Sequence, residues 1–154
     1  MKLLFQKLKE NAILPQRATP QSAGADLCAC LDAPVIIPPD ETVMIPLGIC
    51  CQPSEYECAM LVFPRSGLAS RYGITLANAV GVVDADYRGE WFVPLHNISK
   101  QEFTVMHGMR IAQLVVVPVL FPEILETANV DTTERGSNGF GSSGLSSFQE
   151  EYKQ

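Results

Sequence analysis

Short apolar runs, separated by proline and glycine, make up most of the hydrophobic pattern of this chain. The 154 residues include 11 prolines and 11 glycines, and many of the runs between them are rich in β-branched residues. These runs are too short for helices and occupy residues 35–37, 42–50, 58–63, 74–83, 91–95 and 111–120. Short strands bounded by turn residues are typical of sandwiches and barrels. The pattern therefore predicts an all-β fold.

Few segments depart from this strand pattern. Residues 66–71 predict one short helical turn before Gly73, and residues 6–13 predict an extended opening segment. The run 115–117 is continuous valine, which is typical of a strand buried on both faces. Such a strand is expected in the core of an assembly, so this run indicates a subunit interface.

The composition changes near the C-terminus. Residues 135–147 contain four glycines and five serines, which is typical of a flexible linker or a disordered tail. Arg135 opens this segment and Phe140 lies inside it, and a simple spacer needs neither. We therefore predict a β-barrel domain over residues 1–134 and a flexible arm over residues 135–154.

The net charge of −6 and the pI of about 4.8 limit the partners of the protein. An acidic chain is a poor match for a nucleic-acid polymer or an anionic membrane, so neither is expected as a main partner. Lys7, Lys9 and Glu10 interrupt the first apolar run, and no run approaches the length of a membrane span. The expected location is the cytoplasm, or the nucleus in a eukaryotic or viral source.

The five cysteines indicate a reducing compartment. Cys28, Cys30, Cys50, Cys51 and Cys58 are odd in number and have C-x-C and C-C spacings. Structural zinc sites use wider spacings, and disulfide frameworks use even counts. The cysteines are therefore predicted to be small buried hydrophobic residues.

Two segments carry candidate chemistry in the first half of the chain. Arg65, Ser66 and Gly67 offer a charged fork, a hydroxyl and an open backbone N–H, which together suit phosphate oxygens. The same three residues also occur in ordinary turns. Ser-Ala-Gly-Ala before Asp26 suits an ordinary turn into a strand, and the carboxylate of Asp26 is also a candidate to face a metal through water.

A third segment, residues 78–89, predicts a β-hairpin with Asp84 and Asp86 at its mouth. It suits either an acidic turn or a base-recognition hairpin with one carboxylate aimed at a water or a metal. Because a carboxylate is a weak base, catalysis there would depend mainly on positioning and charge neutralisation. Further along, Gln113 is a polar residue in an apolar strand and needs a partner if it is buried.

The glycine-rich segment around Phe140 suits contact with a flat ligand. Glycines on both sides of Phe140 allow close wrapping, and a phenylalanine stacked on a base contributes about 1–3 kcal/mol. No Gly-Lys-Ser/Thr follows, so the segment is not a P-loop. No βαβ unit surrounds it, so it is not a dinucleotide fingerprint.

In this order, the segments resemble those of the trimeric dUTPase family. The likeness covers nearly the whole chain, from Ala-Gly-Ala-Asp-Leu at 23–27 to Gly-Phe-Gly-Ser-Ser-Gly at 139–144. The resemblance implies a jelly-roll-like β-barrel, the dUTPase-like β-clip fold. It also implies a homotrimer with three sites at subunit interfaces, where the exchanged C-terminal arm of one subunit closes over a site formed by others.

The resemblance also implies binding roles. Phosphate contacts would come from Arg65, Ser66, Gly67 and Gln113, with Arg135 on the γ-phosphate. Uracil would be bound by a hairpin too tight for the methyl group of thymine, while Tyr87 would lie under the deoxyribose and exclude a ribose 2′-hydroxyl. The nucleoside-binding set is Asn78, Gly81, Val82, Val83, Asp84, Tyr87, Phe92, Phe140 and Gly141, with Phe140 stacked on uracil.

The implied reaction is hydrolysis of dUTP to dUMP and pyrophosphate, which keeps uracil out of DNA and supplies dUMP for thymidylate synthesis. Asp84 would orient the water that attacks the α-phosphorus, and Arg110 would be structural at a subunit contact. The implied cofactor is Mg²⁺, held mainly by the triphosphate and placed by Asp26 through water. Two alternatives are a dCTP deaminase of the same fold and a non-catalytic interaction module on a dUTPase scaffold.

Overall fold

The computed structural model describes residues 1–137 of the chain. In this range the chain forms eleven strands and one short helix, so the predicted all-β class is confirmed. The elements in chain order are β1 (Leu3–Lys7), β2 (Ala25–Cys28), β3 (Val35–Ile37), β4 (Thr42–Pro46), β5 (Ile49–Pro53), β6 (Cys58–Pro64), α1 (Ser66–Tyr72), β7 (Ile74–Leu76), β8 (Gly81–Asp84), β9 (Phe92–Asn97), β10 (Phe103–Val105) and β11 (Arg110–Pro118).

All strand pairings among the described residues are antiparallel. The strands form four sheets in the orders β1-β5, β10-β3, β2-β11-β6-β8 and β4-β9-β7. The long strand β11 has β6 on one side, from Ala112↔Pro64 to Pro118↔Cys58, and β2 on the other. The valines of residues 115–117 are only half-buried in the single chain. Their predicted place in a subunit interface stays a prediction.

The core lies between these sheets and is almost wholly apolar. Asn97 is the one fully buried polar side chain found in residues 1–137, and it is satisfied by Ile37, Ser99 and Gln101. A buried amide without such partners would be destabilising. The largest apolar side chains that are fully buried are Leu27, Ile37, Ile45, Leu47, Ile49, Met60, Ile74, Leu95, Ile111, Val93 and Val105.

The helix α1 begins and ends for local reasons. Arg65 precedes it in an extended conformation, with φ −91° and ψ 129°, and Gly73 ends it in the left-handed region at φ 65°. The N–H of Gly73 donates to the carbonyl oxygens of Ala69 and Leu68, which is a common C-terminal cap. The predicted short helix before Gly73 is therefore confirmed, and Ser66 and Gly67 lie in its first turn.

The predicted hairpin over residues 78–89 is wrong in its pairing. The strand β7 pairs with β9, whereas β8 pairs with the edge of β6, so the two consecutive strands lie in different sheets. A turn at Ala77–Val80 redirects the chain, with Ala79 at a positive φ of 59°. Alanine carries no turn signal, so the sequence did not indicate that the chain leaves one sheet for another at Ala79.

The compact unit of the chain spans Met1–Phe121. Residues 122–137 contribute no strand or helix, and all of them are exposed. The domain boundary between residues 134 and 135 stays a prediction. Within the described range, no helix is long and apolar enough to cross a membrane.

Candidate active site

Most of the residues predicted to hold phosphate line one cavity, here called the arginine pocket. Its volume is about 440 Å³. The four-stranded sheet brings these lining residues together. Within it β2 and β6 flank β11, so that Asp26 and Phe63 lie opposite Gln113. Arg65 then follows β6 directly. The pocket is lined by Ala18, Ser22, Ala23, Gly24, Asp26, Arg65, Ser66, Gly67, Arg110 and Gln113.

Asp26 lies between two arginines at the centre of the arginine pocket. Its Oδ1 is 2.9 Å from Nε of Arg65, and its Oδ2 is 3.3 Å from Nη1 of Arg110. Arg65 also donates from Nη1 to the carbonyl oxygen of Arg110 at 3.1 Å. The guanidinium of Arg65 is thus fixed on two sides, and its Nη2 makes no hydrogen bond within residues 1–137. That group is available to an anion.

Gln113 has the partner that its burial requires. The half-buried side chain donates from Nε2 to the carbonyl oxygen of Pro64 at 3.0 Å. Gly24 packs so closely against it that an added Cβ would lie 2.7 Å from Oε1 of Gln113. Arg17 donates to the carbonyl oxygens of Ser22 and Ala23 and so holds the segment that carries Gly24.

The predicted nucleoside residues lie on β8 and in the turn that follows it. Tyr87 donates from its hydroxyl to the carbonyl oxygen of Glu90 at 3.0 Å. Gly89 lies against the same ring, and a Cβ there would lie 2.6 Å from Cζ of Tyr87. Glu90 in turn accepts from the backbone N–H of Gly48 at 3.1 Å. The ring of Tyr87 is therefore held in one position by its own turn.

The residues of β8 divide between two cavities because side chains alternate along a strand. Val82 and the exposed Asp84 line a cavity of about 560 Å³ that also contains Tyr56 and Phe121. Val83 lines a separate cavity of about 230 Å³. The latter is lined by Met44, Leu47, Val62, Val83, Tyr87, Glu90, Trp91 and Phe92.

The chain brings most of the predicted phosphate-binding residues together but does not place Asp84 among them. Arg65 and Asp84 line different cavities, which have no residue in common. Asn78 is exposed in the turn before β8, beside Gly81. Arg135 is exposed. The predicted stacking residue Phe140 and its neighbour Gly141 lie outside the described residues.

The surroundings of Asp26 decide whether it fits the predicted water-mediated contact with a metal. Residues 1–137 contain no group of three or more His, Cys, Asp or Glu side chains able to hold an ion. Asp26 has both oxygens in ion pairs, so direct ligation would compete with two arginines. A carboxylate has about four lone-pair sites, which leaves room for a hydrogen bond to a metal-bound water. The site thus fits Mg²⁺ whose inner ligands come from another molecule.

The cysteines are structural. All five are free and buried, as the sequence predicts. Burial raises the pKa of the Cys28 thiol, and it raises the pKa of the Cys51 thiol to about 11. A thiol with a raised pKa is a poor nucleophile at neutral pH. Nothing in this arrangement indicates a role for the cysteines in catalysis.

Three residues near the predicted nucleoside-binding residues were not predicted from the sequence. Arg88 and Tyr56 contact each other across two loops, and Met44 lies beside Phe92 in the 230 Å³ cavity. Arg88 lies in the predicted 78–89 segment, but its partner Tyr56 is 32 positions away. Only the pairing of β6 with β8 brings their loops together.

The antiparallel strands, with Arg65 and Ser66 around one cavity, define an all-β protein with a candidate anion-binding pocket. A family model described as dUTPase matches residues 10–144 of the chain. The chain therefore belongs to the dUTPase family, and the predicted family resemblance is confirmed.

Individual relatives agree with the family match. A deoxyuridine 5′-triphosphate nucleotidohydrolase from Tolumonas auensis is 44% identical over 144 residues, which cover 94% of this chain and 95% of that protein. The dUTPase of Staphylococcus bacteriophage 80alpha, solved with dUpNHpp, is 26% identical with a TM-score of 0.84. That likeness covers 94% of this chain and 99% of the phage chain. A mutant dUTPase from phage phi11 of S. aureus, described with a structural Mg(II) ion, has a TM-score of 0.76 at 23% identity. It covers 86% of this chain and 100% of its own.

Proposed function

We propose that this protein hydrolyses dUTP to dUMP and pyrophosphate, which removes dUTP from the DNA precursor pool and supplies dUMP for thymidylate synthesis. The observation that carries the proposal is the arginine pocket, where Arg65, Ser66, Gly67 and Gln113 surround one cavity beside the paired Asp26. The names of the relatives point to the same substrate.

The catalytic unit in this proposal is a homotrimer of jelly-roll-like barrels with exchanged C-terminal arms. The separation of Arg65 from Asp84 within one subunit supports it, because a complete site then needs residues from a second copy. Exposed apolar side chains also support it, since a monomer rarely leaves so many together in one segment. Those after β11 are 73–93% exposed and comprise Leu120, Phe121, Ile124, Leu125 and Val130.

The triphosphate of dUTP would bind in the arginine pocket. Arg65 would donate from its free Nη2, while the hydroxyl of Ser66 and the N–H of Gly67 lie in the first turn of α1. Gln113, oriented by its hydrogen bond to Pro64, would contact the same phosphate chain. Arg135, from the arm, would bind the γ-phosphate. These donors explain how a chain of charge −6 binds a strongly anionic substrate.

Asp84 would hold and orient the attacking water. Its side chain is exposed at the end of β8, so its carboxylate can accept a hydrogen bond from a water aimed at the α-phosphorus. When bound, Mg²⁺ supplies charge neutralisation on the phosphate oxygens, and Asp26 would hold it through water. The pyrophosphate leaves from the side held by the arginines.

Nucleoside selection would come from β8 and its flanking turns. Asn78 and the backbone of Gly81, Val82 and Val83 would bind uracil, with Phe92 in the same pocket. Tyr87, fixed by Glu90, would lie under the deoxyribose and leave no room for a ribose 2′-hydroxyl. Phe140 would stack on uracil, with Gly141 beside it.

The experiment that tests the proposed function is pyrophosphate release from dUTP, dTTP, dCTP and UTP in the presence of Mg²⁺. We expect rapid release from dUTP and rates lower by orders of magnitude from the other three. Asp84→Asn should abolish most turnover, whereas Asp86→Asn, an exposed acid of the same turn, should retain most of it. Deamination of dCTP without pyrophosphate release from dUTP would overturn the proposal. No activity on any of the four would indicate a non-catalytic module.

A further inference from the structure

The turn that carries Asp84 and Tyr87 is held by a side chain of its own. Arg88 folds back over the turn, and its Nη1 donates to the carbonyl oxygen of Ala85 at 2.8 Å and to that of Tyr87 at 3.0 Å. These two carbonyls lie on either side of Asp86. A single charged donor therefore bridges the middle of the turn, and hydrogen bonds from a charged group are stronger than neutral ones.

A second loop fixes the guanidinium of Arg88. Its Nη2 donates to the hydroxyl of Tyr56 at 3.2 Å, and its Cζ lies 5.9 Å from the centre of the Tyr56 ring. Tyr56 belongs to the loop between β5 and β6, which adjoins the turn because β6 pairs with β8 at Ala59↔Asp84. The contact thus ties the turn to the loop that leads into β6, although both side chains are exposed.

We propose that Arg88, oriented by Tyr56, is a positioning residue that sets the placement of Asp84 and Tyr87 against the substrate. This inference rests on the proposed function, since it assumes that Tyr87 contacts the deoxyribose and Asp84 the water. Arg88 itself would contact neither the deoxyribose nor the water; it acts through the carbonyl oxygens of Ala85 and Tyr87. Its effect is on geometry, and a misplacement of about 1 Å is enough to cost large factors in rate.

The discrimination between dUTP and UTP gives a readout that a purely structural role does not move. A variant that only destabilises the subunit lowers the rate on both nucleotides by the same factor. A variant that lets Tyr87 shift lowers the rate on dUTP and relaxes the exclusion of the 2′-hydroxyl. The ratio of kcat/KM for dUTP to kcat/KM for UTP therefore separates positioning from stability.

The test compares Arg88→Met, Arg88→Lys and Tyr56→Phe with a matched control, Arg71→Met. Arg71 is exposed on α1 and makes no hydrogen bond with the described residues. Methionine keeps the length of the side chain and removes its donors. We expect Arg88→Met to lower both kcat on dUTP and the dUTP/UTP ratio about tenfold. Arg88→Lys should restore most of both, since its ammonium reaches the same carbonyls, and Arg71→Met should leave both unchanged.

Tyr56→Phe keeps the proposal testable if Arg88→Met does not fold. It removes one hydroxyl, and we expect a fall of about threefold in the dUTP/UTP ratio. The proposal fails if the folded variants of Arg88 and Tyr56 keep the wild-type ratio, or if dUTP and UTP rates fall equally. Failure of the proposed function is distinct, because the wild-type protein itself would then release no pyrophosphate from dUTP.

Discussion

Replacing Asp26 with asparagine tests the arrangement of the arginine pocket. The side chain of Asp26 is 17% exposed and pairs with Arg65, which is 30% exposed, and with Arg110, which is 58% exposed. The pair with Arg110 is solvent-screened and contributes at most about 1 kcal/mol. The less exposed contact with Arg65 is a hydrogen bond between charged groups, and such a bond contributes about 1.5–3 kcal/mol when it is shielded from water. Because asparagine keeps one acceptor, Asp26→Asn should destabilise the subunit by about 2 kcal/mol.

The expected shift in the midpoint of thermal unfolding is about 4–8 °C, since 1 kcal/mol corresponds to about 2–4 °C at this chain length. Asp32→Asn is the matched control, because Asp32 pairs with Lys9 at 2.8 Å. Its hydrogen bond with Lys9 lowers the pKa of Asp32, yet its side chain is 80% exposed. The control should therefore leave the midpoint unchanged.

The same variant should raise the KM for dUTP. Without the carboxylate, Nε of Arg65 keeps at most a neutral acceptor, so the charged contact that orients its guanidinium is weakened. Differential scanning calorimetry and pyrophosphate-release kinetics measure the two effects on one protein sample. A variant with an unchanged melting midpoint and an unchanged KM would refute the reasoning, because Asp26 would then neither stabilise nor orient the arginines.

Three further changes test other parts of the account. Gly89→Ala places a Cβ 2.6 Å from Cζ of Tyr87 and should displace the ring. The value of kcat/KM for dUTP should then fall about tenfold. An unchanged value would show that the ring is free to move. Burial raises the pKa of Cys51 to about 11 from 9.0, so its contribution to stability is full below pH 9.0 and is lost as the pH rises through about 11. Urea unfolding at increasing pH should show this loss in the wild type and less of it in Cys51→Ala, and equal profiles would contradict it. Truncation after residue 134 should leave the midpoint of unfolding unchanged but remove most hydrolysis, and a fully active truncated protein would exclude the arm from the mechanism.

Local sequence signals account for the strands and the helix. The apolar run 111–120 contains most of β11, and the turn residues around Gly73 end α1 where they were expected to. These predictions succeed because strand length and helix caps depend on neighbouring residues. The hairpin predicted over residues 78–89 is wrong for the same reason. The turn at Ala79 has no residue that marks it in the local sequence.

The site was predictable as a set of residues but not as an arrangement. Arg65, Gln113 and Asp26 were each singled out, yet the ion pair of Asp26 with Arg110 joins positions 84 apart. Only the register of β11 against β2 and β6 sets that contact. The hydrogen bonds from Arg88 to the carbonyl oxygens of its own turn were not predicted. The sequence around an arginine in a loop does not indicate which carbonyl oxygens it will contact.

Mixing two inactive variants tests the central claim most directly, namely that a dUTP-hydrolysing site joins Asp84 of one copy to the arginine pocket of another. Arg65→Ala and Asp84→Asn should each be inactive alone. Unfolded together and refolded at equal amounts, they should recover about a quarter of wild-type pyrophosphate release, because about one site in four then pairs an intact Asp84 with an intact Arg65. A mixture with no more activity than its components would contradict the shared site.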